Sequence, residues 1–179
     1  MYVSVIANCD RTDRDREQLQ RLTEAVYPAD GSTAGAGGAL SWSNTELSVV
    51  VREVADGEIA AHVGVLVRDC LHNGHPVRIG GIGGVKTDPD LRTRGLGRLA
   101  MTRGVEVLRD DLTAEFGLLV CPESASGFYD RLGWQDFRGE LWVDQPNGRT
   151  RFTMNQVKVL SLRREVPVTG IIDLLGFPW

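Results

Sequence analysis

The chain has 179 residues, 42% of them apolar and 25% charged, a balance that fits one ordinary globular domain and excludes a fibrous or disordered class. A formal charge of −4 gives no basic excess, which argues against nucleic acid as a partner and suits a cationic small molecule better. Cys9, Cys70 and Cys121 are widely spaced and odd in number, so neither a disulfide framework nor a zinc site is expected, and reduced thiols fit a cytoplasmic protein.

Taken in chain order, Tyr2 to Ala7 reads as a strand and Thr12 to Val26 as a polar helix with Leu19, Leu22 and Val26 on its apolar side. The opening segment turns charged too soon for a leader peptide, and no apolar run is long enough to span a membrane. Residues 28–38, rich in Gly, Ala and Ser, read as a loop. "LSVVVREV" and "IAAHVGVLVRDC" are β-branched strands with an Asp56-Gly57 turn signal between them. Asn73-Gly74 turns the chain into a fourth strand, "VRIGGIGGVKT". Leu91 to Leu112 is predicted as a helix whose buried stripe is Met101, Val105, Leu108 and Leu112. "FGLLVC" is a short, wholly apolar central strand, the fifth. "SGFYDRLG" is a short helix stopped by Gly133. "WQDFRGELWVD" and "RFTMNQVKVLSL" are two last strands around Gln145-Pro146-Asn147-Gly148, giving the order β-α-βββ-α-β-α-ββ.

The chemistry concentrates at "RTRGLGRLAM". Gly95 to Ala100 satisfies the dinucleotide pattern G-x-G-x-x-G/A, but that pattern needs a strand running straight into its first glycine within a βαβ unit. Here the strand stops near Thr87, polar residues and Pro89 intervene, and hairpins lie upstream. With Arg92 included, the stretch reads R-x-x-G-x-G at a helix start. There unpaired N–H groups and partial positive charge favour an anion. Gly95 and Gly97 let backbone approach a pyrophosphate, and Arg92, Arg94 and Arg98 can add charge-assisted bonds.

"GGVKTDPDLRTRGLGRLAM" resembles the acyl-CoA-binding motif of the GNAT superfamily of N-acetyltransferases, and "SGFYDRLGW" resembles that family's next motif. The resemblance covers roughly residues 45–143. It implies an α/β fold with a mixed, mostly antiparallel, splayed sheet and helices on both faces, here a single domain over residues 1–179. It implies acetyl-CoA as co-substrate and no metal, with Val85, Lys86, Thr87, Arg92, Thr93, Arg94, Gly95, Leu96, Gly97 and Arg98 contacting it. Glycines in the fourth strand fit a bulge or a close backbone approach. The resemblance makes the Val85 N–H the donor to the thioester carbonyl and Tyr129 the general acid for the departing thiolate.

Many relatives carry a glutamate at or next to the position of Gly83, and this chain does not. The ammonium proton must leave another way, and Glu46, Glu123, Asp30 and the terminal carboxylate stand as candidates. Together with Gly83, Gly84 and Trp179 they form the expected acceptor side. "DLLGFPW", "IAAHVGVLVRD" and "YPAD" resemble the aminoglycoside 2′-N-acetyltransferases, which implies a small polar amine, aminoglycoside-like, as acceptor. Protein or peptide amines and a non-catalytic acyl-CoA sensor are the alternatives, and a homodimer is left open. His72 and His75 read as solvated hairpin ends, since no further metal ligands accompany them, and His62 as a core or cleft-lining residue.

Overall fold

The computed structural model describes residues 1–27 and 40–179. Among them, ten strands form one mixed sheet and three α-helices pack against it. The strands are β1 (Tyr2–Ala7), β2 (Leu47–Arg52), β3 (Ile59–His72), β4 (His75–Thr87), β5 (Phe116–Cys121), β6 (Gln135–Asp136), β7 (Glu140–Gln145), β8 (Gly148–Arg151), β9 (Gln156–Ser161) and β10 (Ile171–Asp173). The helices are α1 (Asp13–Val26), α2 (Leu96–Glu106) and α3 (Glu123–Asp130). Among the described residues no helix is long and apolar enough to cross a membrane.

The long hairpin β3–β4 is the spine, closed at Asn73-Gly74 with both residues at positive φ, as a two-residue turn requires. The outer edge of β3 serves two neighbours: β2 along Ile59 to Val65, and β10 at Leu71 and His72. β4 pairs with β5 in parallel, and β5 continues through β9 to β6. Side chains alternate across the strands. Val49, Val51, Ala61, Val63 and Val65 meet α2 through Leu96, Ala100 and Met101. Val50 and Ile59 meet Leu19 and Leu22 of α1 on the opposite face. α1 starts at a capping box, the Thr12 side chain accepting from the Asp15 N–H and the Asp15 carboxylate from the Thr12 N–H.

Three expected elements differ. The predicted helix over residues 91–112 is α2 alone, because Gly95 sits in left-handed backbone and cannot continue it upstream. Downstream, Val107–Asp111 widens to π-helical geometry, closed by the Leu112 N–H on the Val107 carbonyl. "WQDFRGELWVD" is two strands at opposite arms of the sheet, β6 on β9 and β7 on β10. The crossing at Gly139 has no room for a side chain, since a Cβ there would fall on the Gly170 backbone and the Phe137 ring. "RFTMNQVKVLSL" likewise splits into the end of β8 and β9, and β10 was not foreseen.

The C-terminal segment is built into the second core. Trp179 is buried and donates from its indole Nε1 to the Leu118 carbonyl at 3.1 Å. The Arg68 guanidinium lies 5.0 Å over the indole and also donates to the Phe177 carbonyl at 2.7 Å and the Ser43 hydroxyl at 2.6 Å. Gly81 must be glycine, because a Cβ there would enter the indole ring. Trp179→Ala should therefore lower unfolding free energy by about 3–5 kcal/mol in urea titrations, the usual cost of emptying a packed aromatic site.

Candidate active site

β4 and β5 part company. Their pairing ends at Ile82 opposite Leu119, yet β4 runs on to Thr87 and β5 to Cys121. On its other edge β4 stays with β3, but with one residue in excess: Gly83 faces Gly64 and Lys86 faces His62. Gly84 and Val85 together stand opposite Val63, which is a β-bulge, and Gly84 takes a φ of 56°. Among the described residues, the last residues of β4 thus present a backbone edge that β5 does not pair.

Two further elements, α2 with the loop before it and α3, come close to that edge. The first helical bond of α2 runs from the Leu99 N–H to the Gly95 carbonyl at 2.9 Å. The N–H groups of Leu96, Gly97 and Arg98 therefore have no helical acceptor, and they carry the positive end of the helix dipole. Thr93 and Gly95 both lie at positive φ, 68° and 79°, which curls the approach into a tight loop of the kind that holds anions. A Cβ on Gly97 would lie 2.7 Å from Thr87 Oγ1 and 3.6 Å from the Phe128 ring, so its bare backbone keeps β4, α2 and α3 in close approach. Arg92, Thr93, Arg94 and Arg98 are exposed around this loop. Arg94 is already paired with Glu53 at 2.5 Å, whereas Leu96 is buried in the core and leaves only backbone to a ligand.

Tyr129 stands on α3 beside Phe128, ring edge to face at 5.1 Å. Burial first, then Cys121 and Tyr27 nearby, push its phenol above the ordinary value, so it holds its proton. Fully buried Lys158 of β9 binds Asp130 at 2.5 Å and Asp136 at 2.6 Å, clamping the end of α3 to the sheet. Among the described residues, the loop before α2, the last residues of β4 and the protonated phenol of Tyr129 thus lie near one another.

Residues 11–136 match the acetyltransferase (GNAT) domain family. The chain belongs to it. An aminoglycoside 2′-N-acetyltransferase from Mycolicibacterium fortuitum is 27% identical over 147 residues, covering 82% of this chain and 71% of that protein. Among solved structures, a GNAT family acetyltransferase from Brucella melitensis in complex with acetyl-CoA shares the fold with a TM-score of 0.58 at 20% identity, over 96% of this chain and 94% of the other. YhbS of Escherichia coli in complex with CoA gives 0.61 at 14% identity, over 97% and 89%.

The rest of the predicted acceptor side of this GNAT acetyltransferase is only partly assembled. Gly83 meets the end of the chain: a Cβ there would lie 3.2 Å from the Trp179 main-chain carbonyl carbon. Glu46 and Glu123 are exposed, at the start of β2 and the start of α3. Asp30 lies outside the described residues. Lys86 stands apart from Thr87, facing His62 across the strands, and burial first, then Arg11, lower its ammonium pKa. Sequence reasoning missed Tyr27, whose hydroxyl approaches the Val85 carbonyl at 3.5 Å, and the buried polar set around His62. The signal for the latter was one histidine inside the otherwise apolar run "IAAHVGVLV".

Filling the cradle should be costly. Gly97→Val is expected to weaken CoA binding at least about ten-fold by calorimetry, because a branched side chain would collide with Thr87 and crowd Phe128, forcing α2 away from β4 and α3. Arg94→Ala should cost less than about three-fold, its charge already being committed to Glu53.

Proposed function

We propose that the chain, as one GNAT domain over residues 1–179, transfers acetyl from acetyl-CoA to a primary amine of a small polar molecule. The single observation that carries this reading is the parting of β4 from β5 beside the glycine loop of α2. Relatives of the same fold were crystallised with acetyl-CoA or CoA, which supports the same co-substrate here.

In this reading the loop from Arg92 to Arg98 holds the pyrophosphate, and Val85, Lys86 and Thr87 line the pantetheine arm. The neutral amine attacks the thioester carbonyl, and a C–N bond forms as the carbonyl becomes an oxyanion. The Val85 N–H donates to that oxygen and strengthens its bond as charge develops. Collapse breaks the C–S bond, the thiolate takes the Tyr129 proton, and the proton that the acylated nitrogen must then shed restores the phenol. The proton released by the ammonium passes to solvent or to a carboxylate on the acceptor side, where Gly83, Gly84, Glu46, Glu123, Asp30 and Trp179 are the candidate lining. The named activity of the Mycolicibacterium relative supports an aminoglycoside-like polyamine as the acceptor.

Thiol release over a panel of tobramycin, spermidine and a peptide amine tests the reading. The expected result is turnover with tobramycin, and a fall in kcat of about 10²-fold or more on Tyr129→Phe with CoA affinity retained. The phenol is held protonated, so kcat should not fall on the alkaline side before pH 10, the ordinary phenol value. Gly83 in place of an acid favours one rival, a sensor that binds CoA without turnover. Tight CoA binding with no thiol release on any amine would establish that rival.

A further inference from the structure

A directed hydrogen-bond chain ends on the bulge. His62 is buried on β3, with Nδ1 2.8 Å from the Gly84 carbonyl and Nε2 2.8 Å from the hydroxyl of fully buried Ser48. A carbonyl can only accept, so Nδ1 carries the proton and Nε2 accepts from Ser48. The Arg11 guanidinium donates in turn to the Ser48 hydroxyl, and Asn8 Oδ1 lies 3.2 Å from it. Burial first, with Lys86 and Arg11 nearby, lowers the His62 pKa to about 4, so the ring stays neutral and keeps one tautomer at working pH.

The peptide joining Gly84 to Val85 is trans, as are the other described peptide bonds. Its carbonyl and its N–H therefore point in opposite directions. The carbonyl is held toward the His62 ring, so the Val85 N–H faces away from that ring, on the stretch of β4 that has already lost its β5 partner. We infer that His62 is a positioning residue for acetyl transfer: its Nδ1–H bond to the Gly84 carbonyl fixes the bulge peptide and thereby aims the Val85 N–H at the thioester oxygen. A glycine at positive φ has many alternative conformations, and this bond selects one of them. Arg11 and Ser48 act one step further out, holding the imidazole in the donating tautomer.

This inference rests on the acetyl-transfer reading above. Two polar replacements separate the two ring nitrogens. The amide nitrogen of His62→Asn falls near the place of Nδ1 and can still donate to Gly84. That of His62→Gln falls near Nε2 and reaches Ser48 instead. With acetyl-CoA and tobramycin, His62→Asn should keep kcat within about five-fold of the natural chain, while His62→Gln should lose about 10- to 100-fold, the scale of a misplaced oxyanion donor. Free CoA has no acyl carbonyl, so its Kd should stay within about two-fold in both variants. Equal kcat in the two variants would overturn the inference, and so would a parallel loss of kcat and CoA affinity, which marks a purely structural role. Absence of turnover in the natural chain would instead overturn the acetyl-transfer reading, and this inference with it. Acetyl-CoA turnover that is intact in the natural chain and undisturbed in His62→Gln would remove the inference alone.

Discussion

Everything at the site depends on two strands that begin as partners and then separate. Parallel pairing of β4 and β5 holds from Ile79 to Ile82 and no further. A strand edge with unpaired amides is a liability in most proteins, because it invites another chain. Here, among the described residues, the end of that edge lies close to α2 and α3, Gly97 approaching both Thr87 and Phe128. The bulge at Gly84 and Val85 interrupts that edge, and the buried imidazole of His62 is hydrogen-bonded to the Gly84 carbonyl within it.

The glycines of "GGIGG" are each explained by a neighbour rather than by flexibility. A Cβ on Gly80 would lie 2.7 Å from Leu108, one on Gly81 would enter the Trp179 indole, and one on Gly83 would crowd the last residue's main chain. Only Gly84 is needed for its backbone angle. The same run therefore admits a helix on one face, an indole on the other and a bulge at its end.

Local features were legible in the sequence because their causes are local. The glycine loop, the helical stripe of Met101, Val105, Leu108 and Leu112 (the first and third buried, the other two half-buried), the turn at Asn73-Gly74 and the bulge beside Val85 follow from backbone freedom and side-chain periodicity within a few residues. The break of "WQDFRGELWVD" was not legible, since its cause is the Gly170 backbone packed on Gly139, thirty-one positions away along the chain. β10 has three residues and forms only because β3 and β7 offer it both edges. The polar set around His62 was hidden for the same reason: the ring's partners come from β2 and β4, Arg11 joins only through Ser48, and only the folded sheet brings them together.

The central claim is that the gap between β4 and β5 receives a thioester on the Val85 amide. A crystal structure of the chain with acetyl-CoA tests it most directly. The expected result is the pyrophosphate at Gly95 to Arg98 and the acetyl oxygen about 2.9 Å from the Val85 nitrogen, with the Gly84 carbonyl still on His62. Acetyl-CoA bound with its carbonyl turned away from Val85, or a gap closed by renewed pairing of β4 with β5, would contradict it.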